Sequence, residues 1–540
     1  MARRSRWWGW GEDAHAGQLP EPALPLLRAE LGVDAAARGP VALADVRVAP
    51  PALTDAVLDR LRAVAAVSTE HGARVVHAAG KGYVDLVLLR SGTPEDTPDA
   101  VVTPADAAGV AAVLEACASE RVAVVPFGGG TSVVGGLTPL REGFAGVISL
   151  DLGALDAVTR LDERSGAAVI QAGVQAPELE AWLGARGWTL GHFPQSYEYV
   201  TIGGCVATRS AGQASTGMGR IDKNVIGVRC ATPSGEFATR ALPASAAGPD
   251  LRELIVGSEG TLGVITEATL RIRRRPAQAR YEGWMLPSFA AGAEAFRTLE
   301  QAGEAPDVAR LSDAEETRFS LIVSGAMEGT RGDVIKRYLG ARGIAGGCLM
   351  ITGWLGEANA NAARRTSAAA AIRAAGGASL GGSAGRSWDR GRYHGPYLRD
   401  HLLDRGVLVE TLETATTWDN TFVLYDAVTR ALRDSLTARG TPPIVWCHIS
   451  HLYPTGCSLY FTFLAKQERG AEIDQWAAAK QAACEAIIAN NGTLSHHHAT
   501  GRDHAPYLGR EIGGLGIAAL KAVKAELDPA GIMNPGKLVL

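Results

Sequence analysis

Apolar positions along the chain follow two different periods. DAVLDRLRAVAA (Asp55–Ala66) and PADAAGVAAVLEACASE (Pro104–Glu120) carry them at helical spacing. Between Asp99 and Arg275 the pattern is different. Short β-branched runs alternate with Gly-rich turns: VVT, VAVVPFGGGTS, GVISLDL, AAVIQAG, NVIGVRCAT and GVITEATLRI. These predict strands. Beyond Ala277, Ala-rich helices are mixed with strands, and LYFTFLA (Leu459–Ala465) reads as a strand. WAAAKQAACEAIIANNG predicts a helix capped by Gly492, followed by SHHHATGRDH and a helix running to LDPAGIMNPGKL. The pattern divides the chain into a helical region over 1–93, a strand-and-glycine region over 94–276, a mixed region over 277–473 and a C-terminal segment over 474–540. SGTPEDTPDAVVTP (Ser91–Pro104) reads as a linker between the first two.

Composition sharpens this picture in one respect. Glycine accounts for 65 of 540 residues, roughly 12% against about 7% in average proteins. The glycines cluster, as they do where backbone must approach a ligand closely. Charge is nearly balanced, 53 basic against 57 acidic residues, so no field for nucleic acid exists. The seven cysteines are odd in number and none forms a CxxC pair, which argues against a disulfide framework or zinc ribbon and fits a reducing compartment. No apolar run reaches membrane-spanning length, and MARRSRWWGWGEDAHAG has no secretory apolar core. The ending KLVL is not a retention or peroxisomal address. A cytoplasmic protein, with peripheral membrane contact at most, is expected.

The candidate chemistry starts in three Gly/Ser/Thr loops. The first is Pro126, Phe127, Gly128, Gly129, Gly130, Thr131 and Ser132, directly after the apolar run Val122–Val125. Glycines there let backbone N–H groups converge on a phosphate, with two hydroxyls beside them. GxGxxG fails because position 133 is Val, and no Gly-Lys-Ser/Thr is present, so neither a Rossmann site nor a P-loop is read. The second loop lies in PQSYEYVTIGGCVATRSAGQASTGMGRIDKNVIG (Pro194–Gly227) and the third in GSEGTLGVITEATLRI (Gly257–Ile272). Three such loops suit a long diphosphate ligand whose ring packs on apolar strands. Gly129 is read as a position where any side chain would fill space the diphosphate needs.

The order PFGGGTS, TIGGCVATRSAG, GSEGTLGVITEATLRI, closed by DPAGIMNPGKL (Asp528–Leu538), resembles the FAD-binding domain of the vanillyl-alcohol oxidase/p-cresol methylhydroxylase superfamily. WWGWG (Trp7–Gly11), ARLSD (Ala309–Asp313), LRD (Leu398–Asp400), ETATTWD (Glu413–Asp419), LYFTF and SHHH (Ser495–His498) follow in an order that resembles the alkyldihydroxyacetonephosphate synthase family. The resemblance implies an α+β fold: a two-subdomain FAD-binding domain of the PCMH type over 94–276, and a cap domain with an antiparallel sheet and flanking helices. It implies that the C-terminal segment brings the His cluster back to the FAD domain. It implies replacement of the acyl group of acyl-dihydroxyacetone phosphate by a fatty alcohol, with no net flavin redox change. FAD is expected to be non-covalent, since no His lies in or just before PFGGGTS.

The implied cofactor set adds Gln195, Ser196, Thr201, Gly203, Gly204, Thr208, Arg209, Ser210 and Ala211 from the second loop. From the third it adds Glu259, Gly260, Thr261, Gly263, Val264 and Ile265. Arg399 and Arg310 are substrate-binding candidates because a guanidinium holds phosphate bidentately; Arg310 serves equally well as a structural ion-pair partner. The resemblance gives Tyr460 an acid/base role, whereas its place in an apolar strand suits an ordinary core Tyr. On an extended segment His496 and His498 share a face and His497 opposes them. The resemblance places the cluster in the active site; at least one of the three is read as structural, and His497 and His498 are taken as the chemical pair. No metal is expected, since no carboxylate or thiolate stands at ligand spacing in the sequence. The partners expected are the lipid substrates, with a homodimer possible in outline. The competing reading is an FAD-dependent 2-hydroxyacid (D-lactate or glycolate) dehydrogenase or oxidase, with Arg399 on a carboxylate.

Overall fold

The computed structural model describes residues 4–12, 17–33, 37–344 and 346–538. Residues 1–3 and the last two of KLVL lie outside them.

Two main sheets, with a two-stranded ribbon of Trp188–Thr189 and Arg273–Arg274, form the glycine-rich half. The first runs in the order Ala66–Ser68, Ala100–Thr103, Gly146–Asp151, Val122–Phe127, the last three parallel. The crossover between the second and fourth of these is the predicted helix, Ala107–Glu120. Asp106 caps it by accepting the Gly109 N–H, and Val110, Val113, Leu114 and Cys117 face the sheet. The strand Ala100–Thr103 occupies the end of the expected linker, and the expected helical region also supplies Ala66–Ser68. A five-stranded antiparallel sheet follows, ordered Val158–Asp162, Ala167–Gln171, Val264–Arg271, Val225–Thr232, Gly235–Ala238. One continuous apolar core joins the two sheets.

The other half is a single eight-stranded antiparallel sheet. Toward one edge its strands run Val308–Ser312, Ile444–Ile449, Gly456–Lys466, Val407–Thr417, the last at the edge. Alternation in LYFTFLA decides its two faces. Leu459, Phe461 and Phe463 have no exposure and pack in the core with helices Thr421–Ala438 and Glu472–Ala489. Tyr460 and Thr462 therefore project from the opposite face. The helix at Glu472–Ala489 ends in Asn490, and the left-handed residue after it is Asn491 rather than the expected Gly492. Gly492 is needed for another reason: a Cβ there would crowd Leu424 and Thr414. Finally, residues 532–534 lie beside the first sheet. Val124 donates to the Ile532 carbonyl at 2.8 Å, and Asn534 donates to the Val124 carbonyl at 2.8 Å.

Candidate active site between the two halves

A cavity of about 470 Å³ lies between the glycine loops and the open face of the large sheet. From the first loop, Pro126 to Ser132 line it without a gap. Among the described residues, the N–H groups of residues 128–132 donate to no protein acceptor. Five consecutive free donors make an anion cradle. The glycines are needed here for a reason the sequence did not reveal. A Cβ at Gly129 would run into the Tyr199 carbonyl oxygen, and one at Gly128 into the Thr201 hydroxyl. The space expected for a diphosphate at Gly129 is filled by the second loop's backbone.

Gln195, Ser196, Thr201, Gly203, Gly204, Thr208, Ser210 and Ala211 of the second loop line the cavity, as do Glu259, Gly260, Gly263 and Ile265 of the third. Arg209, Thr261 and Val264 do not. Arg209 turns away to Glu253 at 2.7 Å. The Thr261 hydroxyl donates to the Ser258 carbonyl at 2.8 Å, and Val264 is a buried strand residue opposite Ala231. Glu259 accepts from the N–H groups of Thr500 and Gly501 at 2.8 and 2.6 Å, which ties the third loop to the histidine segment. Burial pushes its carboxyl up to about 7.

Sheet register builds the facing wall. Tyr460 stands directly opposite His448 on one neighbouring strand and Glu413 on the other. The Tyr460 and His448 rings stack with centroids 4.8 Å apart, and burial raises the phenol to about 12. Arg310 reaches His448 at 3.0 Å and Glu316 at 2.6 Å. Burial opposes the Glu316 charge, but Arg310 and His448 hold its carboxyl down at about 2. Arg310 therefore lines the cavity and is ion-paired at once.

The histidine run is not extended. It wraps around the Glu413 carboxylate, which accepts the N–H groups of His496, His497 and His498 at 2.7, 2.7 and 2.6 Å and the Ser495 hydroxyl at 2.9 Å. That turn breaks the expected alternation. His497 and His498 line the cavity, and His496 points away from it. It also supplies the carboxylate that sequence spacing lacked: Glu413, His497 and His498, and likewise His451, His496 and His497, bring candidate ligand atoms within 4.8 Å of one another. Burial opposes ionisation of Glu413, yet His497 beside it holds it well below the usual carboxylate range. Burial also lowers His498 and His451 to about 3, so both rings are neutral at physiological pH.

Arg399 sits on helix Gly395–Leu403 and lines the cavity. Its Nη1 donates to the Lys81 carbonyl at 2.6 Å, while Nε and Nη2 are buried with no partner. Two buried guanidinium donors without a partner suit an anionic ligand. The helix is held by the tryptophan-rich N-terminal segment: the Trp10 N–H donates to Asp400 at 2.6 Å. Sequence reasoning missed Glu413 as an anchor and missed His448, His451, Glu316 and Lys81. For His448 and Glu413 the available signal was strand alternation, Trp446–His448 and Val409–Thr411–Glu413, running opposite Tyr460.

The free N–H row and the unpaired Arg399 fit a flavin dinucleotide with an anionic substrate next to it. Comparison with known proteins agrees. Residues 98–239 match the family described as FAD binding domain, and residues 275–538 the FAD linked oxidases, C-terminal domain. An alkyldihydroxyacetonephosphate synthase of Trypanosoma brucei brucei is 34% identical over 91% of this chain and 82% of its own length. A solved alkyldihydroxyacetonephosphate synthase structure, 28% identical, superposes with a TM-score of 0.84 over 98% of both chains. p-Cresol methylhydroxylase, at 14% identity, shares the fold, with a TM-score of 0.67 over 92% of this chain and 99% of its own. The α+β fold is thus the two-subdomain FAD-binding domain with its antiparallel-sheet cap, and the chain belongs to the FAD-linked alkyldihydroxyacetonephosphate synthase family.

Proposed function

We propose that this protein replaces the acyl group of an acyl-dihydroxyacetone phosphate with a long-chain alcohol, forming an ether bond. The observation that carries the reading is Arg399: a buried guanidinium with two unpaired donors, set between the N–H cradle and the Tyr460–histidine wall. In this reading the N–H groups of residues 128–132 hold the diphosphate of a non-covalent FAD, and Ser196, Thr201 and Glu259 border the rest of it. Bound there, FAD supplies an electron-accepting ring with no net change of redox state. Arg399 binds the substrate phosphate through its free fork. Arg310 is fixed in advance by Glu316 and His448, so its remaining donors meet the head group at small entropic cost. Neutral His498 and the raised Tyr460 phenol hold and move protons at the dihydroxyacetone head group and the leaving carboxylate. Both organic substrates are bilayer-soluble, which supports peripheral membrane contact. No helix among the described residues is long and apolar enough to cross a membrane.

The test is incubation of the yellow holoprotein with palmitoyl-dihydroxyacetone phosphate and hexadecanol, expecting an alkyl product and free palmitate without an electron acceptor. Anaerobic bleaching of the flavin by D-lactate or glycolate, with no alkyl product, would transfer the assignment to a hydroxyacid dehydrogenase.

A further inference from the structure

His496 has no contact with the cavity, yet it is joined to it. Its Nδ1 meets Nδ1 of His497 at 2.9 Å, and its Nε2 meets the Tyr453 hydroxyl. His497 lines the cavity. Tyr453 is partly exposed, on the short strand Leu452–Tyr453 that leads into the hairpin before Gly456. Arg220 fixes the outer end. Its Nη1 donates to the His496 carbonyl at 2.9 Å, it bonds the Tyr453 side chain, and Asp222 holds it at 3.0 Å. One phenol and two imidazoles thus form an unbroken hydrogen-bonded row from the cavity to the outer turn.

The row runs in either polarity. In one, Tyr453 donates to His496, His496 donates to His497, and the His497 Nε2–H faces inward. In the other, every bond is reversed and His497 presents a lone pair. Interconverting them moves one proton along the row. Burial, reinforced by His451 and His497, keeps His496 neutral, so that it retains one donor and one acceptor.

The proposed exchange leaves such a proton to dispose of. The alcohol O–H bond breaks and its oxygen forms the ether C–O bond. The bond between the dihydroxyacetone carbon and the ester oxygen breaks, and the fatty acid departs as a carboxylate carrying both ester oxygens and the bonding pair. One proton per turnover remains in a cavity walled by the glycine loops on one side and the large sheet on the other. We propose that His497, His496 and Tyr453 are a proton-export wire, in which His497 takes the alcohol proton and His496 and Tyr453 pass it outward without touching substrate. His497 Nε2 gains the proton, His497 Nδ1 yields one to His496 Nδ1, His496 Nε2 yields one to the Tyr453 oxygen, and the Tyr453 hydroxyl proton passes to water. The inference rests on the synthase reading.

The experiment compares FAD-loaded wild type, Tyr453→Phe and His496→Gln in alkyl-product formation at low buffer concentration. Both variants are expected to keep FAD, melting temperature and KM for the acyl substrate, and to lose about 10- to 100-fold in kcat. Added imidazole buffer restores kcat in the variants and leaves the wild type unchanged, because a diffusing carrier replaces the broken wire. The D2O effect on kcat rises in both. Tyr453→Phe is the arm that stands if His496→Gln does not fold. Wild-type kcat in Tyr453→Phe, or a loss that neither imidazole nor D2O modulates, overturns the wire. Absence of alkyl product from the wild type overturns the synthase reading itself, and shows before any variant is compared.

Discussion

The two walls of the cavity are built on opposite principles. The glycine wall is made of backbone: three loops that pack because side chains are missing, leaving N–H groups free for a ligand. The sheet wall is made of side chains: Tyr460, His448 and Glu413 lie in one transverse row because three strands share a register. Damage should therefore propagate differently. A change in the glycine wall displaces backbone and takes the cofactor with it. A change in the sheet wall leaves the frame standing and removes chemistry.

The largest contrast comes from Gly129→Val. Its side chain collides with the Tyr199 carbonyl, so the two loops part, at a cost of about 1–3 kcal/mol or more. The purified variant should be colourless with a lowered melting temperature; a yellow, equally stable protein sinks the backbone account. Tyr460→Phe and His498→Ala should do the reverse, keeping the flavin spectrum while turnover falls about 10²–10⁴-fold. Loss of FAD from either would make that residue structural.

Glu413→Gln sharpens the comparison, because it sets an amide against three backbone N–H groups. Disturbed bonds of this kind cost about 1–3 kcal/mol, and kcat should drop by a comparable factor with FAD retained. Turnover equal to wild type would free the histidines from this anchor. Arg399→Lys keeps the charge but loses the fork, at about 1.5–3 kcal/mol or roughly ten- to hundred-fold in substrate kinetics. Unchanged kinetics would remove Arg399 from the substrate.

The smallest effect concerns pH. Burial lowers His504 to about 3, and its Nδ1 lies 3.0 Å from the Ala499 carbonyl. Below the ordinary histidine value near 6.5 the unfolded chain takes up a proton that the folded protein refuses, so stability falls as pH drops from there toward 3. His504→Gln removes that term. Relative to wild type, its melting temperature should improve between pH 7 and pH 5; an unchanged difference contradicts the sign.

These two principles also explain what the sequence could reveal. A backbone wall leaves a local trace, because glycines must stand consecutively; the PFGGGTS loop and the helix after Asp106 were readable without any fold. A side-chain wall leaves its trace in residues that meet only after folding. Glu413 and His496 are distant in the chain, and their contact depends on a turn that no periodicity announces. Tyr460 was visible as a strand residue, but its orientation required knowing which face Leu459 and Phe461 bury.

The pairing of Val124 with residues 532–534 has a consequence for synthesis. The strand bearing the cradle is made early, and the segment that pairs with its outer edge follows about 400 residues later. At ribosomal rates of about 5–20 residues per second, that edge stays open for roughly 20–80 seconds. An unpaired apolar edge exposed for so long invites pairing with another nascent chain. Flavin uptake by a covered cradle strand thus waits on synthesis of residues 532–534, and chaperone supply during that interval should govern how much yellow protein accumulates.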